Sequence, residues 1–255
     1  MRIKILGCSG GIGAGLRTTA ILINDEVLID TGTGIGDLTL DQMRKIRNVF
    51  LTHSHMDHTC GLPLLVDTIF ETLLDSPLDV IAQPKTMNAV KKHIFNWILW
   101  PDFSSLPTAE TPVMRYRVMN PGTSQTVAGI EFTMIEVNHT VPGVGYIAQK
   151  DGKYFAFSGD TTTNDNFWNA VNELPRLDLL VVETAFSNRN EELAWLARHY
   201  CPKTLAFDLR KLKHDPAIWI THLKPGAETE IFKEIEEEVT TWRVKRLMGG
   251  EEFEL

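Results

Sequence analysis

Thr52-His53-Ser54-His55-Met56-Asp57-His58 gathers three histidines and a carboxylate within six residues. Imidazole nitrogen and carboxylate oxygen together suit divalent first-row metals such as zinc, manganese and iron. A single tetrahedral site does not need so many ligands from one loop, so the run points to two ions. The alternative, a polar surface loop, fits poorly because the whole chain holds only eight histidines. Two neighbouring cations would lower the pKa of a shared water far enough to supply hydroxide near neutral pH, which is the chemistry of hydrolysis.

The run follows the apolar stretch Val49-Phe50-Leu51. A strand that ends in a loop can turn such side chains toward one point. Alternation and apolar runs predict strands over 2–8, 18–24, 26–31, 48–53, 114–119, 125–137, 144–149, 153–158, 177–183, 217–221 and 244–254, with Asp151-Gly152 as a hairpin turn. Helical spacing predicts helices over 85–100, 165–173, 189–200 and 227–241, with Leu193, Leu196, Ala197 and Tyr200 sharing a face of the third. Strands mixed with helices in both halves imply an α/β layout of two packed sheets with helices outside.

Composition bounds the rest. A 255-residue chain that is 43% hydrophobic can bury a sizeable core, and with no linker or repeat it reads as a single domain over 1–255. A net charge of -8 argues against tracking a long nucleic-acid backbone, which needs many phosphates neutralised. It leaves room for a small anionic substrate, because two divalent ions reverse the sign locally. No apolar run is long enough to span a bilayer, and the N-terminus lacks a signal core, so a cytoplasmic protein is expected. Cys8, Cys60 and Cys201 are odd in number and far apart, reading as small buried hydrophobes rather than a disulfide framework.

The run matches the H-x-H-x-D-H pattern of the metallo-β-lactamase superfamily, and Asp30, His139, Asp160 and His222 follow that family's motifs in order. The resemblance implies an αββα sandwich, two mixed β-sheets flanked by helices, with the site along one edge of both sheets. Position by position it implies that His53, His55 and His139 hold one metal, that Asp57, His58 and His222 hold the other, and that Asp160 bridges both. Asp57 would also orient the nucleophilic hydroxide. Asp30 would support the histidine loop from behind, accepting a ring N–H. The cofactors so implied are two divalent metal ions, zinc, manganese or iron.

Within the superfamily, His53–His58 followed by Gly61-Leu62-Pro63-Leu64, Glu183-Thr184-Ala185-Phe186-Ser187-Asn188 and Thr221-His222-Leu223-Lys224-Pro225 resemble class II cyclic-nucleotide phosphodiesterases. That resemblance implies hydrolysis of a 3′,5′-cyclic nucleotide through a metal-bridging hydroxide, and a homodimer fits the family habit. A second resemblance, carried by His139–Tyr146 and Ser158–Thr161, is to the tRNA 3′-processing endonucleases. Against it, Val182 precedes Glu183 where that branch has histidine, and no basic Gly/Pro-rich insertion is present to grip tRNA. Hydrolysis of an ester, lactone or thioester is a further superfamily alternative.

Weaker candidates have two readings each. Gly7–Gly13 is a phosphate-cradling loop or a tight turn at the site edge, and the absence of a following helix start favours the turn. Thr161, Thr162 and Thr163 donate to a phosphoryl oxygen or satisfy a turn, and Lys224 binds phosphate or is solvated. Trp97, Trp100 and Phe103 stack on a base or belong to the core. His93, His199 and His214 read as surface or helix-face histidines, and Glu234–Glu238 as the wet side of a helix.

Overall fold

The computed structural model describes residues 1–255. Six segments rich in Ile, Val and Leu, the β-branched and bulky types that fill a pleated surface, begin the chain: Arg2–Gly7 (β1), Ala20–Ile23 (β2), Val27–Ile29 (β3), Asn48–Phe50 (β4), Leu78–Ala82 (β5) and Met114–Val118 (β6). Ser124–Val127 (β7), Ile130–Val137 (β8), Gly143–Lys150 (β9), Lys153–Phe157 (β10), Leu179–Glu183 (β11), Ala217–Thr221 (β12), Val244–Arg246 (β13) and Glu252–Glu254 (β14) follow. They form two mixed sheets of seven strands, ordered β14-β1-β2-β3-β4-β5-β6 and β13-β12-β11-β10-β9-β8-β7. The short helices are Leu40–Met43 (α1), Met56–Thr59 (α2), Gly61–Thr68 (α3), Phe70–Leu73 (α4), Pro84–His93 (α5), Asn166–Asn172 (α6), Glu191–Ala197 (α7), Pro202–Leu209 (α8) and Glu228–Glu238 (α9). None is long and apolar enough to cross a membrane.

Three apolar clusters account for the layers. One joins the sheets face to face through Ile3, Ile5, Phe50, Phe132, Tyr146 and Phe157. Phe50 and Phe132 stack across that interface with centroids 4.3 Å apart. A second seats Leu62, Leu65 and Val66 of α3 with Met87 and Val90 of α5 on the first sheet. The third seats Phe167, Trp168, Leu205, Ile231 and Ile235, from α6, α8 and α9, on the second. The outcome is the αββα arrangement, each sheet covered on both faces.

Strand direction decides where a ligand can sit. β3, β4, β5 and β6 run parallel, as do β10, β11, β12 and β13, while β8 is two antiparallel steps from β10 and therefore shares its direction. Their carboxyl ends line up along one edge, where open α/β sheets place ligands.

Several sequence expectations change. The strand expected over 125–137 is two, because Ala128 and Gly129 both take positive φ and turn the chain into a hairpin. The closing strand over 244–254 is also two, split by Gly249 and Gly250 at positive φ, with β13 on one sheet and β14 on the other. The helix expected over 85–100 stops at His93. The helix expected over 189–200 ends at Ala197, where Arg198 takes the left-handed conformation. Leu193 and Leu196 are consequently exposed, and only Tyr200 of the expected apolar face is fully buried. Segments α3, α4, β5 and α8 escape the periodicity reading altogether.

Candidate metal centre

Five of the site residues sit one to three positions beyond a strand. β3 delivers Asp30, β4 delivers His53, β8 delivers His139, β10 delivers Asp160 and β12 delivers His222. The remaining residues of the histidine run, His55, Asp57 and His58, ride on α2 or its cap. Asp30 and His222 both hold positive φ, a conformation that costs a non-glycine residue about 1 kcal/mol or more. That strain is held by specific partners. Asp30 N–H donates to the Phe50 carbonyl at 2.8 Å, and His222 N–H to the Cys8 carbonyl at 2.7 Å.

Four sets of donor atoms have their ligand atoms within 4.8 Å of one another. Two are made of expected residues: His53, His55 and His139 form one group, and Asp57, His58, Asp160 and His222 the other. The other two sets add His199 to His139 and Asp160, and join Glu183 and His199 to His222. Asp160 Oδ2 lies 3.2 Å from both His58 Nε2 and His222 Nε2, and 3.7 Å from His53 Nε2. It therefore faces both groups. Every residue expected at the site is brought together.

Surrounding hydrogen bonds fix which nitrogen each ring presents. His58 Nδ1 donates to Asp30 Oδ2 at 2.7 Å, and Asp30 also accepts from the Thr52 backbone and hydroxyl. His139 Nδ1 donates to the Arg198 carbonyl at 3.1 Å. His53 Nε2, His58 Nε2 and Asp160 Oδ1 are buried with no hydrogen-bond partner. Buried polar atoms without partners are costly. Orphans of this kind converging between histidines and carboxylates fit divalent-ion ligation.

Electrostatics favour that use at two of the rings. Burial and the neighbouring His58 push His53 well below the ordinary imidazole range, and burial holds His139 down at about 4, so both rings are neutral at pH 7, as ligation would require. Burial opposes a charge on His58, but Asp160 and Asp30 outweigh it and raise that ring well above its ordinary value. Burial would raise Asp160, but His222 and His58 outweigh it and hold the carboxyl well below the usual range. Asp57 is likewise lowered against its burial by His222 and His58. Both carboxylates are therefore ionised.

One pair was missed in the sequence. His199, expected on a surface or helix face, is buried beside the centre, its Nδ1 2.7 Å from Glu183 Oε1. Its ring lies 4.9 Å from that of His139 and stacks on that of His222 at 5.2 Å. Burial opposes a charge on this ring, but Glu183 more than offsets it and raises its pKa. Glu183 also accepts from the Thr161 backbone at 2.9 Å. The signal was faint: Glu183 ends an apolar strand as the motif residues follow theirs, whereas nothing local to His199 shows that the helix stops short and turns it inward.

The weaker candidates resolve individually. Gly7–Gly13 braces His222: Gly10 N–H donates to the Leu223 carbonyl, and a Cβ at Gly10 would lie 2.4 Å from the His222 carbonyl oxygen. Lys224 donates to the Gly10 carbonyl at 2.8 Å, tying the same loop down. Thr161 spends its hydroxyl within the turn, while Thr162 and Thr163 line a cavity beside His199. Phe103 is core, Trp100 packs on it and Trp97 is exposed; none of the three lines that cavity. The cysteines form no disulfide, and only Cys201 is fully buried.

Known proteins resemble the chain over most of its length. The family model described as "Beta-lactamase superfamily domain" matches residues 25–241. A probable 3′,5′-cyclic-nucleotide phosphodiesterase of Yersinia pestis is 23% identical over 275 residues, covering 88% of this chain and 78% of that protein. Ribonuclease Z of Bacillus licheniformis is 26% identical over 289 residues, covering 93% of each. Among solved structures, unliganded yeast PDE1 superposes with a TM-score of 0.83 at 18% identity, covering 100% of this chain and 99% of that one.

Proposed function

This chain belongs to the metallo-β-lactamase superfamily, and from that premise we propose that it is a dinuclear phosphodiesterase that opens a 3′,5′-cyclic nucleotide. Its class, a metal-dependent hydrolase, follows from the family and its named relatives. The observation that carries the finer reading is Asp160, one carboxylate facing both donor groups. In this reading His53, His55 and His139 hold one ion, Asp57, His58 and His222 hold a second, and Asp160 is shared. Such a pair, when bound, supplies Lewis acidity to both the entering and the departing oxygen of a phosphodiester and lowers the pKa of water.

The chain's own residues do the rest. Asp57, ionised and part-exposed at the mouth, orients the attacking water. Asp30 and the Arg198 carbonyl lock His58 and His139 in the tautomers that ligation requires. Water oxygen joins phosphorus and releases a proton to solvent, the bond from phosphorus to the 3′-oxygen breaks, and that oxygen takes up a proton. His199, held by Glu183 against the centre, is placed to give it.

The Bacillus licheniformis relative, matched over nearly its whole length, supports tRNA 3′-processing as the second reading. The net charge of -8 speaks against that reading. The test offers manganese- or zinc-loaded protein cAMP, cGMP and a 3′-extended precursor tRNA in parallel. Turnover of a cyclic nucleotide with the tRNA left intact is the expected result. Removal of the tRNA trailer without cyclic-nucleotide hydrolysis would overturn the proposal in favour of the second reading.

A further inference from the structure

Trp195 stands on α7, one helical turn before His199, and is 71% exposed. Single exposed apolar side chains are ordinary on a protein surface; what sets this indole apart is its position. This one borders a cavity of about 700 Å³ that also takes in His199, Thr162, Thr163, Asn138 and Glu192. That volume lies in the roughly 300–1,000 Å³ range of small-molecule sites. Because His199 packs against His139 and His222, the cavity adjoins the His/Asp centre through that ring, and the Trp195 indole lines it as well.

The placement is rigid. Arg198 N–H donates to the Trp195 carbonyl and His199 N–H to the Ala194 carbonyl, while the Arg198 carbonyl accepts from His139 Nδ1. The helix end that carries Trp195 is thus tied directly to a residue of the centre. Arg198 Nη1 adds bonds to the His139 carbonyl and to Asn138 Oδ1. Glu191 and Glu192 also line the cavity. Glu191 is paired with Lys203 at 3.2 Å, which leaves Glu192 to disfavour a second phosphate while tolerating the N–H groups of a base.

We propose that Trp195 is the base-binding face of the substrate site, stacking on the aromatic base of a mononucleotide whose phosphate faces the His/Asp centre. This rests on the phosphodiesterase reading for the phosphate end and extends it to the base. It selects a base-bearing mononucleotide over a bare phosphodiester, and a single nucleotide over an extended strand. Trp97, Trp100 and Phe103, the aromatics that the sequence offers for this task, do not border the cavity.

The test uses Trp195→Ala and Trp195→Phe with two substrates: cAMP and the 1-O-methyl riboside 3′,5′-cyclic phosphate, which lacks a base. Removing a stacking aromatic costs roughly 5- to 100-fold in binding. Trp195→Ala should raise KM for cAMP by a factor in that range, leave kcat/KM for the base-free substrate unchanged, and be largely rescued by Trp195→Phe. Titration calorimetry with 5′-AMP and ribose 5-phosphate supplies a readout independent of turnover. Wild type should prefer 5′-AMP, and Trp195→Ala should bind both alike. If cAMP is not hydrolysed yet this preference holds and is lost in Trp195→Ala, the phosphodiesterase reading fails and the base site stands. Equal binding of both ligands by wild type would overturn the base site whatever the turnover. So would an equal loss on both substrates accompanied by a smaller solution mass, which would place Trp195 in a contact between copies.

Discussion

His58 Nδ1 and Asp30 Oδ2 meet at 2.7 Å, both side chains wholly enclosed by protein. Asp30 stands at positive φ where it makes that contact, the shortest that His58 Nδ1 has, and it turns His58 Nε2 toward Asp160. Removing one member of a buried pair costs about 3–5 kcal/mol, and removing a partner behind a metal-ligating histidine costs about 10–100-fold in affinity. Asp30→Ala should therefore lower the unfolding midpoint and release metal to a competing chelator at lower chelator concentration. Unchanged chelator competition would show that Asp30 does not support the centre.

Glu183 holds His199 Nδ1 at 2.7 Å, and its carboxylate also lies within 4.8 Å of a His222 ring nitrogen, so a positioning role and a ligating role make different predictions. Glu183→Gln should keep the metal content of wild type while cutting kcat by roughly 10²–10⁴, the usual worth of a positioned acid or base. Elemental analysis beside steady-state kinetics separates the effects. Loss of metal in proportion to loss of rate would assign Glu183 to ligation instead.

Gly159 precedes Asp160 at φ 61°, and a Cβ there would lie 2.5 Å from the Val144 carbonyl oxygen. Backbone oxygen cannot yield as a flexible side chain would. Gly159→Ala should destabilise the fold by about 1–3 kcal/mol and shift Asp160, weakening metal retention. Thermal melts and chelator competition that both match wild type would show that the turn has room.

How far the site was legible depended on how local its determinants are. The histidine run was legible from type and spacing, whereas Asp30, His139, Asp160 and His222, each within three residues of an apolar strand, were placed by their resemblance to the family's motifs. His199 was not legible, because its burial depends on Arg198 ending α7 early and on Glu183, sixteen positions away. The two-sheet layout was readable from alternation, yet the split at Ala128-Gly129 was not: one residue of that turn is an alanine, which carries no turn signal. The division at Gly249-Gly250 did carry one, and alternation on both sides hid it. α3 and α4 hide for another reason. At eight and four residues they span too few turns for a helical period to stand out.

Asp178 stands just before β11 and accepts from the Tyr154 backbone, Lys153 and Arg176. Burial would raise its pKa, but these partners outweigh it and lower the carboxyl below its ordinary value. A carboxyl depressed in the folded state contributes its full stability above the unfolded pKa, near 3.9, and loses it as pH falls through the folded value. Denaturant midpoints of wild type and Asp178→Asn should differ at pH 6 and converge toward pH 3. A gap that is constant across that interval would mean that the ionised carboxylate contributes nothing.

The central claim, two ions sharing Asp160 and acting on a phosphodiester, is tested most directly by titrating metal-free protein with manganese or zinc while following cAMP hydrolysis. Turnover should climb to a plateau at two equivalents, yield 5′-AMP, and be lost in Asp57→Ala. A plateau at one equivalent, or two ions bound with no turnover of cAMP, would contradict that claim.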